Sequence, residues 1–249
     1  MSTQIRKRSS RTRTALPAAF AALVLAVPAF PATRAEAQVS GTDNPCTALT
    51  LGKSRHDPGT AGRVLFAVAD AYGTTEVTIT ECTKRNGFWK RTLIAPGHIG
   101  RNGFAAPGTK REGDGRSPTG AYSLTEAFGE TDPGTALPYR TLRQSGDCWG
   151  STIGDDRYNR YYQGRCLPAD EDLSAYMKNG PYRQAVVINH NRPPDSPIIH
   201  GHGSAIFMHI GSGPTAGCVA LARPRLERIM RNLRPHDRIF MGPRQALFR

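Results

Sequence analysis

The chain has 249 residues, 38% hydrophobic, 8% aromatic and 21% charged, with 26 Gly and 19 Pro. This length and apolar content suit one sizeable domain and exclude a disordered chain, while the Gly and Pro load excludes a long helical bundle. The formal charge is +13, and the residues after position 37 still carry +8, which favours association with anionic polymers, nucleic acid or an anionic cell wall.

In chain order, basic residues up to Arg13 precede an apolar stretch, Ala15 to Phe30, and Ala35-Glu36-Ala37 offers a small-x-small cleavage site. Residues 1–37 therefore read as an export signal. The apolar stretch is short for a bilayer span and broken by Pro17 and Pro28, and no later segment is long and apolar enough. The expectation is a secreted protein, cell-wall associated, without stable membrane insertion after cleavage. Residues 38–61, punctuated by Gly41, Pro45, Gly52, Pro58 and Gly59, read as an N-terminal tail or linker.

Val64 to Val68, Glu76 to Thr83 and Phe88 to Ile94 read as strands. Gly97 to Gly120 is a connection with seven Gly, after which Ala121 to Leu124 resumes a strand. Residues 129–166 are rich in turn formers. Asp170 to Tyr182 reads as a helix with Leu173, Tyr176 and Met177 on one face. Ala185 to Asn189 and Ala205 to His209 are the clearest later strands. Pro224 opens a helix through Leu233, striped by Leu226, Ile229, Met230 and Leu233. Arg238 to Met241 closes the domain, and residues 243–249 read as a C-terminal tail. The whole predicts a mostly β domain over residues 62–242 with a few packed helices.

An exported chain keeps disulfides, and five cysteines leave at least one thiol unpaired in a monomer. With Cys218 set aside, the other four pair in three ways. Proximity in sequence favours Cys148 with Cys166, and Cys46 would then staple to Cys82. Cys218 is then either inert and buried or retained for chemistry.

The densest chemical signal runs from His200 to Leu221. A strand delivers His209, and a Gly/Pro-rich loop returns with Cys218 nine positions later. An imidazole near a thiol can generate thiolate and later protonate a leaving amine. Gly217 allows close approach of the chain to a substrate, and backbone N–H groups of Gly217 and Cys218 are candidate oxyanion donors.

Gly203-Ser204-Ala205-Ile206-Phe207-Met208-His209 followed by Pro214-Thr215-Ala216-Gly217-Cys218-Val219-Ala220-Leu221 resembles the active-site region of L,D-transpeptidases with a YkuD-type catalytic domain. The match is to the actinobacterial secreted branch reading G-S-A-I-F-x-H and P-T-A-G-C-V-A-L. Ile99 to Phe104 and Lys110 to Gly120 agree with it, and the resemblance covers about residues 62–242. It implies a β-sandwich or barrel-like domain in which Cys218 attacks the carbonyl between the third and fourth residues of a peptidoglycan stem peptide. D-alanine is released, and a neighbouring stem amine resolves the thioester into a 3→3 cross-link. It also implies His209 as base, oriented by a carbonyl around Ile210 or Gly211, acylation of Cys218 by carbapenems, and no metal or organic cofactor.

The chain departs from the broader family, which writes Ser/Thr-His-Gly-Cys where this one has Thr215-Ala216-Gly217-Cys218. The Arg common two residues after the nucleophile is Ala220, and the His-to-Cys loop is short. Substrate-binding candidates are Ser204, Thr215, His202 and Arg223, with Arg223 or Arg225 as the substitute guanidinium. Two other functions fit the same fold: an L,D-carboxypeptidase, with water resolving the acyl-enzyme, and a cell-wall-binding protein without turnover. His190, His200, His202 and His209 with Asp195 lack the paired spacing of a zinc site. Glu112-Gly113-Asp114-Gly115 lacks the remaining acidic positions of a calcium loop and reads as a turn. Tyr158, Tyr161 and Tyr162 beside Arg157 and Arg160 sit in no recognisable nucleic-acid module, so no nucleic-acid partner is expected.

Overall fold

A computed structural model describes residues 44–249. The export signal, its cleavage site and the first residues of the expected tail lie outside the described residues. The described chain runs α1 (Pro45–Thr50), β1 (Arg63–Ala69), β2 (Glu76–Arg85), β3 (Phe88–His98), β4 (Phe104–Ala105), β5 (Ser117–Pro118), β6 (Gly120–Gly129), β7 (Tyr139–Thr141), β8 (Asp147–Trp149), β9 (Tyr161–Gln163), β10 (Glu171–Asp172), α2 (Leu173–Lys178), a 3-10 turn (Pro181–Arg183), β11 (Gln184–Ile188), β12 (Phe207–Ile210), β13 (Val219–Leu221), α3 (Arg223–Asn232), β14 (Arg238–Pro243) and α4 (Arg244–Leu247). The main sheet orders β11-β12-β13-β3-β2-β1-β14-β6-β7, and a further β11–β6 pairing closes it into a barrel. β1–β14, β12–β13 and β6–β7 are parallel pairs.

Period-two alternation explains why β1 reads as an unbroken apolar run. Leu65, Ala67 and Ala69 face the main core, where Leu226, Ile229, Met230 and Leu233 of α3 also pack. Val64, Phe66 and Val68 face a second cluster built with Cys46, Ala48, Leu49, Leu247 and Phe248. This second cluster corrects the reading of both tails. Asn44 caps α1 by accepting from the Cys46 N–H, Pro45 sits in its first turn, and the Cys46–Cys82 disulfide ties it to β2. At the other end, Leu247 is fully buried in α4. Residues 45–50 and 244–248 cover the outer apolar face of β1 and β14, which would otherwise meet water.

The predicted helix over 170–182 is shorter and broken. Asp172 caps α2 through the Ala175 N–H, and Gly180, in the left-handed region at φ 109°, turns the chain into the 3-10 turn. Leu173 and Met177 are buried as expected, while Tyr176 is 44% exposed and the deeply buried aromatic is Tyr182. Residues 139–182 form a small flap held by the β10-β8-β9 sheet and the Cys148–Cys166 disulfide.

Candidate active site

β12 places His209 by the same alternation. Met208 points into the main core, whereas Phe207 shares the opposite face with Ala185, Val187 and Cys218. His209 pairs in register with Ala185 of β11 and Ala220 of β13. Its Nδ1 lies 2.9 Å from the Ile210 carbonyl. That oxygen can only accept, so Nδ1 carries the proton and the lone pair belongs to Nε2. Burial lowers the His209 pKa, opposed by the Ile210 bond, and the imidazole is neutral at neutral pH.

Cys218 is the free cysteine of the described chain. Its loop is fastened to the segment after β3: Thr215 N–H donates to Ile99 O (2.9 Å) and Arg101 N–H to Thr215 O (2.8 Å). Ser117 Oγ donates to Gly217 O (2.6 Å) and accepts from Gly100 N–H (2.9 Å). Three of the similar segments thus meet around Cys218, with Gly217 where they touch. A Cβ there would lie 2.9 Å from Arg116 O and 3.2 Å from Ile206 Cδ1, so close approach of protein backbone, rather than of substrate, demands glycine at 217.

The thiol is turned towards the chain leading into β12. Sγ lies 3.3 Å from both Ala205 O, to which it donates, and the Phe207 N–H, from which it accepts. Ala205 presents that carbonyl because its backbone is left-handed, φ 51°, so the strand predicted over 205–209 begins only at Phe207 and runs to Ile210. Asn159 Oδ1 holds the conformation by accepting from Ala205 N–H at 3.2 Å. Burial pushes the Cys218 thiol up to about 12, with the Glu171 carboxylate adding; the Phe207 N–H, the Tyr182 hydroxyl and Lys110 oppose. At rest the pair is a neutral thiol and a neutral imidazole, with no hydrogen bond between them among the described residues.

Both groups line a cleft of about 400 Å³ whose far wall is the flap, through Ser151, Glu171, Tyr176 and Tyr182. The predicted contacts divide. Ser204 lines the cleft, its hydroxyl donating to Glu112 Oε2 (2.7 Å) and lying 2.8 Å from Ser151 Oγ. Thr215 lines it too, but its hydroxyl donates to Cys218 O (2.7 Å) and accepts from Gly217 N–H (3.0 Å). This internal use corrects two expectations: Thr215 shapes the loop, and Gly217 N–H is already bonded. His202 lies outside the cleft, on a neighbouring cavity with His190 and Asp195. Arg223 opens α3 outside the cleft and bonds Glu227 at 2.7 Å.

Among the described residues no three of the histidines and acids gather as ligands. His190 Nε2 sits 2.9 Å from His202 O, and His200 Nδ1 accepts from Gly154 N–H. The flap aromatics are covered from within: Arg140 lies over Tyr161, and Arg157 over Tyr162.

Sequence reasoning missed Glu112, Glu171, Tyr182 and Lys110. Glu112, read as a turn residue, accepts from Tyr158 Oη (2.5 Å) and Ser204 at one carboxylate oxygen. Tyr182 is 4% exposed, its ring edge-on to His209 at 5.3 Å, with its hydroxyl donating to Glu171 Oε2 at 3.1 Å. Lys110 Nζ is held by Asp114 (2.7 Å) and Arg111 O (2.5 Å). A signal was present for Tyr182, since Gly180-Pro181 breaks any helix reaching it.

A family model of the L,D-transpeptidase catalytic domain, YkuD, matches residues 78–241. No curated protein matches the chain. Two solved chains match. One is the structure of Bdellovibrio bacteriovorus Bd1075, at 12% identity and a TM-score of 0.39 over 76% of this chain and 51% of that one. The chain therefore spans about half the length of that structure.

Proposed function

The chain belongs to the YkuD family of L,D-transpeptidase catalytic domains, and from that premise we propose an exported peptidoglycan L,D-transpeptidase. Cys218 takes a stem tetrapeptide, releases D-alanine and makes 3→3 cross-links. What carries the reading is the one unpaired cysteine facing a cleft beside a histidine whose tautomer leaves Nε2 basic. The two disulfides suit an oxidising compartment, and no described helix is long and apolar enough to cross a membrane.

In the reaction the S–H turns from Ala205 O and passes its proton to His209 Nε2, and Sγ adds to the donor carbonyl. With Gly217 N–H bonded to Thr215, the Cys218 N–H is the loop donor left for the oxyanion. Collapse of the adduct forms the thioester, and the His209 imidazolium protonates the departing amine of D-alanine. An acceptor amine then attacks the thioester, His209 Nε2 takes the proton the amine sheds, and the departing thiolate recovers that proton as the free thiol. The neutral resting pair suits this order, because thiolate forms only when a carbonyl is there to receive it.

Intact mass of the mature protein after incubation with a carbapenem tests the nucleophile. One adduct is expected, absent in Cys218→Ala. Muropeptide products then assign the acceptor: cross-linked dimers support transfer to an amine, and trimmed tripeptides alone assign water and an L,D-carboxypeptidase. The buried, backbone-bonded thiol favours one further reading, a wall-binding domain without turnover. No adduct on a folded protein that still binds wall would establish it.

A further inference from the structure

We propose that Arg183 and Arg223 form a carboxylate subsite in an extension of the cleft beside His209, where they hold the terminal carboxylate of the residue that the reaction expels. The inference deepens the transpeptidase reading and rests on it for the identity of that residue. The cleft does not end at His209. A second, shallower cavity of about 320 Å³ shares Pro181, Ile210 and Gly211 with it, so the two are continuous. The His209 ring borders the junction, since an added Cβ at Gly211 would lie 3.7 Å from its Cε1. Arg183 and Arg223 line this extension from different elements. Arg183 ends the 3-10 turn whose Tyr182 ring stands edge-on to His209 at 5.3 Å, and Arg223 opens α3, reached from Cys218 through the three residues of β13. Each is thus one short element away from a reacting residue.

Both guanidiniums have donors to spare. Arg223 gives Nε–H to Glu227 Oε1 at 2.7 Å, and Arg183 Nε lies 3.7 Å from Glu130 Oε2. Among the described residues neither guanidinium has a partner for its four Nη hydrogens. The side chains are 45% and 48% exposed, and ion pairs so exposed are weak enough to share their cation with a ligand. Arg231 Nη1 also reaches Glu227, at 3.8 Å, so three guanidiniums meet two carboxylates and the extension keeps a positive excess. Two guanidiniums on one cavity offer a carboxylate the charge-assisted N–H pairs it takes best.

The chemistry sets the direction. His209 protonates the departing amine, so the expelled residue lies on the His209 side of the scissile bond, and its carboxylate is one carbon beyond that amine. The cleft itself is a poor place for an anion. Lys110, the one Lys or Arg lining it, is held by Asp114 and Arg111 O, and Glu112 and Glu171 line it as well. The adjoining cavity supplies the missing cations.

The test compares two stem tetrapeptides on the mature full chain, one with a free C-terminal carboxylate and one with that group as the amide. Two quantities are read: kcat/KM for release of the C-terminal residue, by mass, and calorimetric binding of both peptides to Cys218→Ala, which needs no turnover. Wild type is expected to prefer the free acid by about 10-fold, mostly through KM. Arg183→Ala and Arg223→Ala should each cut that preference by about 2- to 5-fold, Arg223→Lys should restore part of it, and the double variant should abolish it. Added salt should shrink the preference in wild type. Arg228, which donates to Thr92 O, lines neither cavity, so Arg228→Ala removes the same charge from α3 and should keep the wild-type ratio. A merely structural role for either arginine would slow both peptides alike and leave the ratio unmoved. The subsite is overturned if wild type treats the two peptides alike, whether well or not at all, or if the arginine variants keep its ratio. A protein that binds the free acid preferentially through these arginines but releases nothing keeps the subsite and loses the transpeptidase reading. Release that ignores the C-terminal charge does the reverse.

Discussion

Ser117→Ala removes one oxygen and tests how the Cys218 loop is held. Ser117 is fully buried, and its hydroxyl donates to Gly217 O at 2.6 Å while accepting from Gly100 N–H at 2.9 Å. Cys218 O lies 3.4 Å away and has Thr215 as a second, better donor at 2.7 Å. The variant thus orphans two buried backbone groups, at about 1–3 kcal/mol each, and the 0% exposure leaves no water route to them. Partial relaxation puts the sum near 3 kcal/mol, which for a domain of this size lowers Tm by about 6–12 °C. The same two bonds fix Gly217 and hence Cys218, and a misplacement of about 1 Å costs up to 100-fold in rate. Carbapenem acylation followed by mass should therefore fall at least tenfold at a temperature where the variant is folded. Denaturant midpoints with intact disulfides give the stability, and Ser117→Thr, which keeps the oxygen, serves as the control for polarity. A Tm within 2 °C of wild type with unchanged acylation would refute the reasoning, because the loop would then be held without Ser117.

Gly217→Ala places a Cβ at 2.9 Å from Arg116 O and 3.2 Å from Ile206 Cδ1. It should destabilise by about 1–3 kcal/mol and slow acylation, read by denaturant midpoint and adduct mass. Burial lowers the His190 pKa to about 4 from 6.5. The unfolded chain takes up that proton first, so stability is full above pH 6.5 and falls by up to about 3 kcal/mol as pH drops towards 4. His190→Asn should flatten this part of a stability-versus-pH curve measured by urea denaturation. Replacing Cys46 and Cys82 by Ser opens a bridge across a separation of 36 residues, at about 3–4 kcal/mol on the chain-entropy model. Because α1 lies on the β1–β14 face, away from the cleft, carbapenem acylation of the folded double variant should match wild type.

The sequence announces best what is local. β1, β2 and α3 were legible because their apolar patterns report burial directly, and Cys218 with His209 because a strand and a Gly/Pro loop bring them round in nine residues. The two terminal segments were not legible. Their apolar residues, Ala48, Leu49, Leu247 and Phe248, are few and make sense only against Phe66 and Phe240, far away in the chain. The cleft wall failed for a related reason. Glu171 and Tyr182 reach the cleft that holds Cys218 because a flap closed by the Cys148–Cys166 disulfide carries them there, and no periodicity encodes that return. Ala205 was read as a strand residue because nothing in Ser204-Ala205-Ile206 reveals a left-handed backbone; Asn159, 46 positions earlier, holds it.

The missing arginine has a structural counterpart. Ala220 is 1% exposed, pairs in register with His209 on β12 and with His98 on β3, and lies against Gly211, where an added Cβ would come within 2.9 Å of the Ala220 Cβ. The neighbourhood is packed around a methyl group. A longer side chain at 220 would have to leave this packed strand face through the cleft that Ala220 helps to line. The charged groups lining the cleft are Lys110, held by Asp114, and the carboxylates of Glu112 and Glu171, which have no ion-pair partner among the described residues. A cleft with that balance of charge favours a cationic group over an anionic one.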